Sequence, residues 1–130
     1  MKNDFNDVEQ ITDEKLLLEI ALSSDNAARA AVRKLSSPDD IAKVAISAKI
    51  SDAAYLAVLK LNSLQCFDLL EDIAIKGLHE SISKQAYNCL KGLNLNNENA
   101  LKIRSKRIKK ATKHASVREE ANRIFSLLNT

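Results

Sequence analysis

The chain has 130 residues, 45% hydrophobic and 28% charged, which fits one globular domain and excludes a disordered segment. Two glycines and one proline are too few for the many tight turns of a sandwich or barrel, and the isolated Gly77 and Gly92 exclude a glycine-rich phosphate loop. The net charge of +3 hides an asymmetry: residues 1–90 carry 10 Lys/Arg against 14 Asp/Glu, and residues 91–130 carry 10 against 3.

The chain opens with a polar, acidic stretch, Met1 to Asp7, that does not read as a signal peptide. No apolar run approaches the roughly 18 residues of a membrane span. Together these point to a cytoplasmic protein. Phe5, Val8 and Ile11 stand at i, i+3 and i+6, so residues 1–11 are expected to cap the first helices. Thr12 can cap a helix over 13–22, whose Leu17, Ile20 and Ala21 share one face, while Leu18 and Leu22 need a second cover. Ser24 and Asp25 precede a helix over 25–35. Ser37-Pro38-Asp39-Asp40 is the strongest start signal, with Ser at N-cap, Pro at N1 and acids in the first turn; it opens 38–48. Further helices are predicted over 52–61, 64–76, 80–92, 97–114 and 117–128. Ser51 and Ser63 serve as weaker caps, Ser116 with Glu119 has capping-box spacing, and Gly77 suits a C′ position. Cys66 and Cys89 lie within helical patterns and read as small buried hydrophobes rather than a disulfide.

The segments repeat. Ala31-Val32-Arg33-Lys34-Leu35 recurs as Ala57-Val58-Leu59-Lys60-Leu61, then as Ala86-Tyr87-Asn88-Cys89-Leu90, and Ala121 to Phe125 closes the series. Each follows another apolar helical segment, so the unit is a pair of helices over about 12–35, 37–61, 63–93 and 97–128. One such pair cannot hide its apolar face alone, but stacked neighbours can. The predicted fold is therefore all-α, a single domain over 1–130 built as an α-α superhelix, or solenoid, of about four antiparallel hairpins. The pattern resembles HEAT-like (armadillo-type) repeats, whose second helix begins near an Asp followed by a Val-Arg pair and a buried Ala. Asp25 with Arg29 and Ala31 approximates this, and Val117-Arg118-x-x-Ala121 matches it more closely. The second pair keeps Asp52 without the Arg, and the third has only Lys84 before Ala86. The resemblance implies a scaffold that binds protein or nucleic acid along one face.

The most distinctive stretch is Leu101 to His114. On a helix, Leu101, Ile108, Ala111 and Ala115 share one face, and Lys102, Lys106, Lys109 and Lys113 line the other with Lys110 beside them. This is either a solvated face or a row for an anionic partner. It has no aromatic for stacking and no Asn or Gln for base edges, so nucleic acid would be held by its backbone. Asp68, Glu71 and Asp72 read as the exposed side of a helix. His79 reads as a helix-junction residue, and Tyr55, Tyr87, Phe67 and Phe125 as core. The two histidines and two cysteines form no zinc-ligand pattern, and nothing in their spacing supports a Cys-His nucleophile pair. Neither enzyme activity, metal nor cofactor is expected. The expected function is a non-enzymatic interaction module whose partner is a protein. The alternative is a nucleic-acid-associated protein using the basic helix, and self-association between the oppositely charged ends is compatible with either.

Overall fold

The computed structural model describes residues 8–129, and the described residues contain α-helix and no strand. Eight helices lie wholly within the described residues: α1 (Glu14–Leu22), α2 (Ala28–Lys34), α3 (Pro38–Ser47), α4 (Ser51–Ser63), α5 (Phe67–Lys76), α6 (Glu80–Leu93), α7 (Glu98–Ala111) and α8 (Ala115–Leu128). Each odd helix packs on the even helix that follows it. Odd helices also contact odd ones in succession, α1 to α3 to α5 to α7, and even helices do the same. The core is one continuous cluster in which small side chains let helix axes approach closely. Ala28, Ala31, Ala54, Ala57, Ala86 and Ala121 are all fully buried within the even helices.

The pairs share a register that can be read from their turns. Ala48, Gly77 and Thr112 end α3, α5 and α7 with nearly the same backbone (φ −60°, −53° and −67°; ψ 137°, 136° and 143°). Two residues later, Ile50, His79 and His114 start α4, α6 and α8, again in matching extended conformations. Counting back from these turns, Ile41, Leu70 and Ser105 are equivalent, as are Val44, Ile73 and Ile108, and all six are fully buried.

Several expected caps fall elsewhere. Side chains cap only three helix starts among those described: Asp13 rather than Thr12 on α1, Ser37 on α3 as expected, and Asn97 on α7. Ser116 lies inside α8, not at its start, because His114 already occupies the N-cap; its hydroxyl donates to Glu80 Oε2 at 2.7 Å. Gly77 is the C-cap of α5 with a negative φ, not a left-handed C′ residue. Space requires the glycine there. A Cβ would collide with Ser83 Oγ and come within 2.9 Å of the Ile73 carbonyl oxygen.

Of the segment over 1–11 expected to cap the first helices, residues 1–7 lie outside the described residues. Val8 is fully buried and Ile11 packs against the core, whereas Phe5 lies outside the described residues. Leu18 and Leu22 are half-buried against the core. Lys34 Nζ donates to the carbonyls of Val8, Glu9 and Ile11 at 3.1, 3.0 and 2.5 Å. One pair later, Lys60 Nζ donates to Val32, Arg33 and Leu35 at the same three distances. Residues 8–11 therefore stand to α2 as the end of α2 stands to α4.

Candidate functional site

The basic residues of α7 divide into two sets. Arg104 and Arg107 turn toward α5. Glu71 accepts from Arg104 Nη1 at 2.8 Å and from Arg107 Nε and Nη2 at 2.8 Å each, and Asp68 accepts from Arg104 at 2.9 Å. Arg104 also lies over the Phe67 ring, 5.7 Å from its centroid. Glu71 is 9% exposed, so the expectation of a solvated acidic face is wrong for this residue. The forked contact from Arg107 and the single bond from Arg104 compensate the cost of burying its charge. The bidentate bond from Glu71 raises the pKa of Arg107 further above its ordinary value. The carboxylates of α5 thus join one helix pair to the next.

The lysines form the second set. Lys106, Lys110 and Lys113 are exposed, and Lys102 and Lys109 are half-buried. At about 100° per residue, Lys102, Lys106 and Lys109 lie on the side of α7 away from Arg104. Their charges have no carboxylate within 4.0 Å among the described ion pairs. Lys109 Nζ instead sits 4.3 Å above the Phe125 ring and donates to Asn122 Oδ1 at 3.2 Å, which ties α7 to α8. The opposite face is buried through Leu101, Ser105 and Ile108, and Thr112 is buried at the C-cap. Ala111 and Ala115, expected on that face, are exposed. Two polar residues were missed because their partners come from elsewhere in the chain. Ser105 Oγ pairs with Tyr87 OH at 2.6 Å, and Thr112 Oγ1 donates to the Ala74 carbonyl at 3.1 Å.

A cleft of about 430 Å³ opens between α7 and α8, lined by Lys106, Lys109, Lys110, Arg118, Glu119 and Asn122. Arg118 was not singled out by the sequence as part of this surface. Its Nη2 donates to the Thr112 carbonyl at 2.8 Å, which holds the guanidinium at the cleft while closing the end of α7. Four cations thus face one carboxylate across the cleft.

Other ionisable groups are engaged within the fold. His79 Nε2 donates to the Ala48 carbonyl at 2.9 Å, and His114 Nε2 to the Gly77 carbonyl at 2.7 Å. A carbonyl can only accept, so each imidazole carries its proton on Nε2. Each histidine starts an even helix and closes the odd helix of the preceding pair. Glu120 accepts from Arg123 and Lys91 at 2.6 and 2.7 Å, and these bonds lower its pKa to about 2. Burial pushes the Tyr87 phenol up to about 12, so it remains a neutral partner for Ser105. Cys89 is buried, which raises its thiol pKa, and Cys66 is half-buried at the start of α5. No group of three or more His, Cys, Asp or Glu among the described residues is arranged to hold a metal ion.

The even helices carry a surface of different chemistry. Val32, Arg33, Leu56, Leu59, Lys60, Ser63 and Leu64 line a groove of about 280 Å³ between α2 and α4. Leu64 is 54% exposed, and on the same helix Tyr55 is 42% exposed rather than in the core. No helix among the described residues is long and apolar enough to cross a membrane. Comparison with known proteins gives no match to a family model, to a curated protein or to a solved structure.

Proposed function

We propose that this chain is a non-enzymatic interaction module of the HEAT-like kind, a superhelical array of four helix pairs that presents its even helices to a protein partner in the cytoplasm. The observation that carries the reading is the contrast between satisfied ionisable groups and exposed apolar ones. Glu71, Glu120, His79 and His114 are held by neighbouring helices, where they join one pair to another. The groove between α2 and α4 leaves Leu56 and Leu59 half-exposed and Leu64 more than half-exposed. Protein interfaces are anchored by such aromatic and aliphatic side chains, with Arg at their edges. Leu64 and Arg33 line the groove, and Tyr55 is exposed outside it on α4.

The test is affinity capture with cross-linking from extracts of the native cells, using the wild-type chain and the variant Tyr55→Asp/Leu64→Asp. Both residues are exposed, so the variant keeps its helical circular dichroism. The proposal expects a partner that the wild type retains and the variant loses. A partner retained equally by both would move the interface away from the even helices.

A further inference from the structure

A second surface, separate from the apolar groove, has its own ligand chemistry. We infer that the α7–α8 cleft, with Lys102, Lys106, Lys110 and Lys113 around it, binds the phosphodiester backbone of a nucleic acid.

The argument begins with register. By the turns that align the pairs, Lys106 stands where α5 has Glu71, and Lys109 stands where α3 and α5 have Ala45 and Ala74. Those alanines are fully buried, and Ala74 offers its carbonyl to Thr112 of the next pair. This side of an odd helix is therefore where the following pair docks, and close docking needs a small residue. On α7 that position holds Lys109, whose side chain is committed to Phe125 and Asn122. Another pair of the same kind, including one from a second copy of this chain, cannot approach there as α7 approaches α5.

A solvent-facing side of a helix pair needs only polar residues. This one goes beyond that need. Lys102, Lys106 and Lys110 follow at i, i+4 and i+8 along α7; Lys106 and Lys110 line the cleft with Arg118 of α8, and Lys113 stands in the turn between the two helices. Like charges packed this closely repel, and the only carboxylate lining the cleft is Glu119. The row from Lys102 to Lys110 is about 12 Å long at 1.5 Å per residue. A nucleic-acid strand in a duplex presents about three or four phosphates over that length. Flexible ammonium groups suit such a row of point charges. The aliphatic stems of the cleft's lysines and of Arg118 form its walls and their cationic ends stand at its rim, which favours a polyanion over a peptide anchored by large apolar side chains. With no aromatic lining it and Asn122 the sole side-chain amide, which already accepts from Lys109, binding is to the backbone and without sequence preference.

The experiment is fluorescence anisotropy with labelled single-stranded RNA and duplex DNA of about 20 nucleotides, titrated between about 50 and 200 mM salt. Four to five phosphate contacts predict a log–log salt slope of about −3 to −5. Lys106→Glu/Lys110→Glu/Lys113→Glu should weaken binding by more than about tenfold, because each contact contributes through counterion release. All three residues are exposed, so circular dichroism and the urea midpoint should not change. The control is Lys15→Glu/Lys43→Glu/Lys49→Glu, which makes the same change in net charge at exposed lysines of the first two helix pairs and should retain binding within about twofold. Equal loss in both triples would reduce the effect to overall charge and overturn the site. Absence of binding at low salt, or binding of polyglutamate or phosphatidylserine vesicles in preference to nucleic acid, would overturn the phosphodiester assignment. Neither result touches the Tyr55/Leu64 surface, whose capture experiment stands independently.

Discussion

The lysines of the first two helix pairs and those of the last do opposite work. Lys34 and Lys60 each reach back across one pair and bond three carbonyls at the end of the preceding segment. Unpaired carbonyls at a helix end must be satisfied, and here a side chain from the next pair does it. In the second half that task passes to local groups. Cys89 stands at the position of Lys60, and the end of α4 is closed by its own turn, in which Cys66 N donates to the Leu61 carbonyl and Gln65 N to Asn62, both at 3.0 Å. The end of α6 is closed by Asn94, whose side chain donates to the Leu90 carbonyl at 2.7 Å. With local groups closing those helix ends, Lys102, Lys106 and Lys110 of α7 hold no carbonyl, and Lys109 ties α7 to α8 through the Phe125 ring and Asn122. The charge counts of the two halves differ, but what separates their lysines is whether they are bound by the backbone.

The largest effect should come from the clamps. Lys60→Met keeps the aliphatic stem and removes three charge-assisted hydrogen bonds, which should cost about 2–3 kcal/mol. Lys106→Met removes none of the fold's hydrogen bonds and should fall within about 0.5 kcal/mol of wild type. Urea unfolding of both variants checks the pair. Equal losses would erase the distinction between structural and free lysines.

A smaller effect tests whether equivalent turns are interchangeable. Ala48 at the end of α3 is matched across its turn by Ala54, whereas Gly77 at the end of α5 is matched by Ser83, whose hydroxyl donates to the Ile73 carbonyl at 2.9 Å. Gly77→Ala forces its Cβ against Ser83 Oγ and should cost about 1–3 kcal/mol. Adding Ser83→Ala recreates the Ala48/Ala54 combination and should recover part of that loss. A double variant no more stable than Gly77→Ala alone would show that the Ile73 carbonyl, rather than Ser83, sets the limit.

The sequence read the helices well because their signal is local. Apolar spacing placed all eight, and Ser37-Pro38 marked the start of α3. The all-α class and the recurrence of paired helices follow from the same periodicity. What escaped the reading comes from groups far apart in the chain. Ser105 and Thr112 were not singled out, because the groups they bond, the Tyr87 hydroxyl and the Ala74 carbonyl, lie 18 and 38 residues away. Glu71 looked solvated until α7 supplied two guanidinium groups. Tyr55 looked like core because its helix is apolar on more than one side, yet it is exposed. At the candidate cleft the lysines were legible as a stripe. Arg118 was visible only as part of a repeat motif, since its place beside Lys106 and Lys110 depends on the turn between α7 and α8.

The smallest predicted effect concerns the point where the two ways of closing a helix meet. Gln65 has φ of 55°, the only positive φ at a non-glycine residue among those described. The turn after α4 demands it: with Gln65 in the left-handed region, Cys66 N and Gln65 N can fold back onto the Leu61 and Asn62 carbonyls. An L-residue pays roughly 1–2 kcal/mol for that conformation. Glycine adopts it without the clash but loses more conformational entropy on folding, about 0.5–1 kcal/mol. Gln65→Gly should therefore stabilise the chain by about 0.5–1 kcal/mol. Gln65→Ala has no reason to gain, because alanine retains the Cβ that makes the conformation costly. Thermal unfolding of the two variants side by side separates the effect of φ from that of losing the glutamine side chain. If glycine brought no gain, the strain of the left-handed conformation at Gln65 would be no larger than the extra conformational entropy that glycine loses on folding.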